Sequence, residues 1–224
     1  STALGAARAG VASRLPVGHI EAGLRSGDES SPFPEEIHRK LIAKLASYHF
    51  APTTNNRRNL LSEGIPAPRV FVTGNTVVDS LQEILARNHV QDRTHRILDE
   101  TAGLRRIILT MHRRENLHRL ESAFRALKVF LEENIDTCVL FPVHPNPAVR
   151  QAAELFRETP RVKLLEPLDY PDFIQLVRQA WIVLTDSGSI QEEAPTLGTN
   201  VLLLRAKTER HEAVDAGTVS VLGD

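Results

Sequence analysis

The sequence predicts an α/β protein built on doubly wound parallel sheets. Two observations carry that expectation. Short β-branched runs alternate with amphipathic stretches along all 224 residues, the order that places helices on the faces of a parallel sheet. Polar and charged residues gather just after the strand-like runs, where open α/β sheets bind ligands. Composition agrees. With 42% hydrophobic and 25% charged residues the chain is globular, not disordered or fibrous.

The elements follow in order. Residues 1–10 are Ala-rich and read as helix, and 16–20 as a short strand. Residues 34–47 read as a helix: Pro34 suits its first position, where an N–H is not needed, and Glu35 and Glu36 favour its dipole. Ile37, Leu41 and Leu45 give that helix one apolar face. Next come a strand at 48–52, a helix at 55–64, a strand at 69–74 and a helix at 77–88. The polar stretch 91–103 is expected to link residues 1–90, one domain, to 104–224, a second. The second half alternates more cleanly. Its strands are expected at 105–110, 138–143, 163–167, 181–186 and 201–205, and its helices at 121–134, 146–158, 172–179 and 189–198.

Several function classes are excluded by simple arithmetic. A net charge of −1 leaves no basic excess for a nucleic acid or an anionic membrane. No apolar run approaches the roughly 18 residues of a membrane helix. Cys138 is the single cysteine, so neither an internal disulfide nor a Cys-rich zinc site is expected. No secretory signal is visible, and a cytoplasmic location is expected. Met111 is the only methionine, so the chain reads as an internal segment of a longer protein.

Three groups at strand ends could carry chemistry. In WIVLTDSGSIQEEA a strand enters a turn of small residues and a helix begins at once. Ser187, Gly188 and Ser189 would let a phosphate approach unpaired N–H groups, and Glu193 could accept from sugar hydroxyls. An ordinary serine helix cap explains the same pattern. His112, Arg113 and Arg114 could hold a diphosphate, or form a solvated loop. His144 is a weaker candidate of the same kind. Glu21, Glu35 and Glu36 could transfer protons, with Arg39 on the same helical face as Glu35; a capping carboxylate and an intrahelical ion pair are the alternative. His19, His38, His49 and His95 read as structural or surface groups. No strand is followed by GxGxxG or GxxxxGK[ST], which argues against a nicotinamide enzyme or a P-loop NTPase. No His pair has metal-ligand spacing within a helix, so no metal is expected.

Together these segments resemble the non-hydrolysing UDP-N-acetylglucosamine 2-epimerase family. The matching stretches are PVGHIEAGLRSGD at 16–28, SPFPEEIHRKL at 31–41, VFVTGNTVVDSL at 70–81 and TMHRREN at 110–116. FPVHPNP at 141–147, EPLDYPDFIQL at 166–176, LTDSGSIQEEAPTLGTNVLLLR at 184–205 and TERHEAVDAGT at 208–218 continue the series in the family's order. The resemblance implies a GT-B-like fold of two Rossmann-like domains with the active site in the cleft between them, the N-terminal domain here being incomplete. It implies interconversion of UDP-GlcNAc and UDP-ManNAc through anti elimination of UDP, a 2-acetamidoglucal intermediate and re-addition. No cofactor is implied. Membership also implies a homodimer and a role in surface polysaccharide synthesis.

By position, Glu21, Glu35 and His112 match catalytic residues. Arg39 and Arg210 match ligand-binding arginines, Ser187 with Gly188 and Ser189 the phosphate-binding helix start, Glu193 a ribose ligand and Phe173 a wall of the uracil pocket. His144 and Arg113 are expected near a second, activating substrate site, Arg113 also within reach of UDP. The chain departs from the family in reading Ser189 for a glycine and His211 for a proline. The family carries a Gly-Asp-Thr motif with a catalytic Asp just upstream of the stretch matching residues 1–10, so by this resemblance the 224 residues alone are expected to be inactive, with exposed apolar surface and an unpaired sheet edge. A hydrolysing relative that releases ManNAc, an inactive UDP-sugar-binding protein and a GT-B glycosyltransferase are the competing readings.

Overall fold

The computed structural model describes residues 1–87 and 90–222, with the backbone alone at Arg114 and Glu115. The chain folds as two compact bodies, Ser1–Asp79 with Lys207–Glu212, and Ser80–Ala206 with Ala213–Asp224.

In the first body a short parallel sheet forms from β1 (Gly18–Ile20), β2 (Tyr48–Ala51) and β3 (Val70–Val72), in that order. Gly18 lies opposite Tyr48 and His49 opposite Val70. Helices α1 (Thr2–Ala12), α2 (Glu35–Leu45) and α3 (Thr54–Ser62) belong to this body. Helix α2 starts one residue later than expected, with Pro34 at its cap. Thr53 caps α3 by accepting the Asn56 N–H. The core is small: Ala22, Ala43, Ala51, Leu60 and Val70. Ile20, Tyr48, Phe71 and Val72 are exposed on the strands, and β1 and β3 are sheet edges.

Helix α4 (Thr76–Arg87) crosses the division between the bodies at Asp79. Asn88, the last residue of the expected helix, lies outside the described residues. The expected linker at 91–103 is instead occupied by a helix, α5 (Asp92–Glu100). Only its narrow stripe of Ile97 and Leu98 enters the core, so its composition reads as polar. Arg106 ties down its C-terminal end through the Leu98 carbonyl at 2.9 Å and Thr101 Oγ1 at 2.8 Å.

The second body carries six parallel strands: β4 (Arg105–Thr110), β5 (Thr137–Pro142), β6 (Val162–Leu165), β7 (Ile182–Thr185), β8 (Asn200–Leu203) and β9 (Val219–Val221). Their order is β6-β5-β4-β7-β8-β9. Alternate residues feed two cores, as expected of a sheet covered on both faces. Ile108 and Leu140 pack on one side; Ile107, Leu109, Val139 and Phe141 pack on the other. The helices are α6 (Leu120–Glu133), α7 (Pro147–Ala153), α8 (Tyr170–Arg178) and α9 (Ile190–Thr196), while α10 (His211–Asp215) crosses the division between the bodies after Glu212. Strand order reverses between β4 and β7, a topological switch point where such sheets bind ligands. Among the described residues no helix is long and apolar enough to cross a membrane.

Candidate functional site

At the switch point of the second body, β4 is followed by Met111-His112 and β7 by Asp186-Ser187. Thr110 and Thr185 lie opposite each other and share a 2.6 Å hydroxyl contact. Asp186 follows β7 directly and is fully buried. Its carboxylate accepts the backbone N–H of His112 at 3.1 Å and of Arg113 at 2.9 Å, and Asn116 Nδ2 at 3.2 Å. Asn116 also donates to the Leu204 carbonyl at 2.8 Å, beyond the end of β8. One buried acid thus holds the loop after β4 against the turn after β7. His112 Nδ1 lies 3.5 Å from Asp186 Oδ1.

The turn continues through Ser187, Gly188 and Ser189. The Ser187 N–H bonds Thr185 Oγ1 at 2.9 Å. Ser189 stands at the cap of α9 without a side-chain cap bond. Its exposed hydroxyl lies 3.4 Å from that of Ser187, so the residue that replaces a glycine adds a second hydroxyl to the turn rather than filling it. N–H groups at the start of a helix have no intrahelical acceptor and carry positive potential.

A cavity of about 230 Å³ opens beside this turn, lined by Met111, His112, His144, Phe173, Ser187 and Ile190 among others. His112 and His144 stack with centroids 5.1 Å apart. His144, expected at a separate activating site, lies in the same cavity wall as His112. Its Nδ1 accepts the Asn146 N–H at 3.1 Å. Phe173 packs against the core as well as lining the cavity. Glu193 is buried on α9. The Tyr170 hydroxyl hydrogen-bonds it, and burial, then the Glu193 charge, push the Tyr170 phenol up to about 12. The guanidinium of Arg113 is partly buried, and the side chain of Arg114 lies outside the described residues.

The first body arranges the other predicted residues. Glu21 directly follows β1 at φ 59°, a left-handed conformation that turns the chain sharply. Its exposed carboxylate accepts Asn75 Nδ2 at 2.8 Å. Glu35 opens α2 and is exposed. Glu36, its neighbour, is fully buried. It accepts the Ser26 N–H at 3.1 Å and Arg39 Nη1 at 3.2 Å. Arg39 reaches on to Glu209 at 3.0 Å, and Arg210 meets the same Glu209 at 2.7 Å. Arg39 is therefore paired with Glu36 and Glu209, and not with Glu35 as its spacing suggested.

The residues that sequence reasoning underweighted are Asp186, Asn116, Glu209, Asn75 and Tyr170. Asp186 had a local signal, an acid directly at a strand end. Asn75 also follows a strand. Nothing local marks Glu209, whose partner Arg39 is 170 residues away.

A sheet in this order, with a small-residue turn, an imidazole and an apolar cavity at its switch point, makes this a GT-B-like α/β protein with Rossmann-like bodies. The chain belongs to the UDP-N-acetylglucosamine 2-epimerase family, whose profile matches residues 1–224. A UDP-N-acetylglucosamine 2-epimerase of Salmonella typhimurium is 47% identical over 217 residues, covering 94% of this chain and 58% of the relative. The UDP-GlcNAc 2-epimerase of Neisseria meningitidis, solved bound to UDP-GlcNAc, is 40% identical with a TM-score of 0.92 over 98% of this chain and 61% of its own. The Staphylococcus aureus MnaA structure with UDP is 43% identical with a TM-score of 0.91, over 97% and 58%. The chain thus spans about three-fifths of the length of these relatives.

Proposed function

We propose that the protein to which this chain belongs interconverts UDP-GlcNAc and UDP-ManNAc by inversion at C2, without hydrolysis. The observation that carries this reading is the switch point, where Asp186 fixes His112 beside the Ser187–Gly188–Ser189 turn and a Phe173-walled cavity. That arrangement suits a nucleoside diphosphate. The turn and His112 hold the diphosphate, Phe173 borders the uracil, and Glu193 takes ribose hydroxyls. In the first body, Arg39 and Arg210 are assigned to ligand binding by the family resemblance.

The chemistry runs in two halves. A carboxylate removes the C2 proton while the C1–O bond to UDP breaks on the opposite face, leaving 2-acetamidoglucal. UDP then re-adds at C1 as a proton reaches C2 from the other side. N–H groups and cations stabilise UDP as it departs, the moment at which charge develops. Glu21 and Glu35 are assigned the proton transfers because both are exposed acids. The UDP-ManNAc so formed feeds surface polysaccharide synthesis.

Proton NMR of UDP-GlcNAc with the full-length protein in D2O tests the reading. Deuterium at C2 together with UDP-ManNAc is the expected result. Free ManNAc moves the protein to the hydrolysing group. Bound UDP with no exchange makes it a binding protein and sinks the enzymatic reading. Residues 1–224 alone are expected to give no turnover.

A further inference from the structure

The segment 207–212 is chemically stapled within the first body. Lys207 pairs with Asp28 at 2.6 Å, and Thr53 bonds Glu212. Between those anchors Thr208, Glu209 and Arg210 are buried, and the Arg210 N–H bonds Thr208 Oγ1 at 3.0 Å. Glu209 is 2% exposed. A single oxygen, Oε1, accepts both Arg39 Nη2 at 3.0 Å and Arg210 Nη1 at 2.7 Å. The second arm of Arg39 is held by Glu36, itself fixed by the Ser26 N–H. A continuous chain of charge-assisted bonds therefore runs from the Ser26 backbone through Glu36, Arg39 and Glu209 to Arg210.

Two guanidinium groups this close repel each other, and in a buried setting the repulsion is poorly screened. One shared carboxylate oxygen turns the repulsion into a fixed spacing. We propose that Glu209 is a positioning residue: it sets the separation and orientation of the Arg39 and Arg210 guanidinia for ligand binding. This rests on the function proposed above. Glu209 itself touches no substrate in this account. It acts through the two arginines, and the anchors at Lys207 and Glu212 keep it from following them if they shift.

The test uses the full-length protein with Glu209→Gln, Glu209→Asp, Arg210→Gln and the Glu209→Gln/Arg210→Gln double variant. Steady-state kinetics and UDP titration calorimetry are run well below each variant's melting temperature. Glu209→Gln keeps the shape and removes the charge. It is expected to weaken UDP binding and lower kcat/KM by about 10- to 100-fold, the scale for breaking a buried charge pair. Glu209→Asp is expected to recover part of that loss, because it restores the charge. In the Arg210→Gln background, Glu209→Gln is expected to change kcat/KM by less than about 3-fold, since residues acting through one another are not additive. Wild-type kinetics in Glu209→Gln, or an equal loss in both backgrounds, overturns the positioning role while leaving the epimerase reading intact. If Glu209→Gln does not fold, an Asp variant with unaltered UDP affinity and kcat/KM overturns it equally. A wild-type protein that neither turns over UDP-GlcNAc nor binds UDP defeats the function reading and this inference with it.

Discussion

Asp186→Asn is nearly isosteric and removes one charge from the switch point. The carboxylate now accepts two backbone N–H groups and the Asn116 amide. Asparagine keeps one acceptor oxygen and places an NH2 group where the other stood. At least one buried donor would then face a donor. A hydrogen bond to a charged group contributes roughly 1.5–3 kcal/mol, and leaving a buried donor unsatisfied costs about as much. Against this, an uncharged side chain avoids the desolvation cost of a buried anion. The net loss is expected to be about 3 kcal/mol. For a chain of this length that lowers the melting temperature by about 6–12 °C. Trp181, the only tryptophan, directly precedes β7, so its fluorescence in a urea titration reports unfolding of the body that contains Asp186. The urea midpoint should fall with an unchanged slope. A midpoint within 1 kcal/mol of wild type (about) would refute the argument that this acid holds the two loops together.

Two further outcomes follow from the first body. His19 is held down to about 4, by burial first and then by His49, Arg25 and Arg39. Its folded value lies below its unfolded one, so its contribution is present at neutral pH and is lost as pH falls from about 6.5 towards 4. Chemical unfolding followed by circular dichroism should show about 2 kcal/mol less stability at pH 5 than at pH 7, and His19→Gln should flatten that slope; a flat wild-type profile contradicts the assignment. Gly23→Ala would put a Cβ 2.2 Å from the Asn56 carbonyl oxygen at φ 88°, so about 3 kcal/mol of destabilisation is expected. An Ala variant that melts with the wild type would show that this close approach relaxes freely.

The alternation of strands and helices was legible because each element has a local period, and most of the candidate site was legible because ligand groups follow strands. His112 and Ser187 line one cavity for that reason, with Phe173 of α8 beside them. Helix α5 escapes the pattern because two buried apolar residues, Ile97 and Leu98, are too few to outweigh its polar composition. The compact bodies include a feature that lies outside any local pattern, the return of residues 207–212 to the first body. Lys207 and Glu209 join residues numbered 28 and 39, and no composition shift near 207 announces this. The stacking of His112 on His144 joins the ends of β4 and β5 and has no signature in either strand alone.

Burial divides the acids near the candidate ligand residues into two kinds, and that division is what sequence spacing could not supply. Glu36, Asp186 and Glu209 are buried and committed, each accepting from at least two donors. Each stands beside a residue expected to meet ligand: Glu36 next to Glu35, Asp186 next to Ser187, Glu209 next to Arg210. An acid so engaged neutralises and orients its neighbours, because protonating it would leave buried donors and cations without a counter-charge. Glu21 and Glu35 differ. They are exposed, and Glu21 accepts from one neutral amide, Asn75. A group that must take and return a proton needs a partner that tolerates both states, and a neutral amide does so where a guanidinium does not. Holding is thus separated from reacting where exposed Glu35 stands beside buried Glu36, and under the proposed function the exposure of Glu21 and Glu35 favours them over Glu36 for the C2 proton.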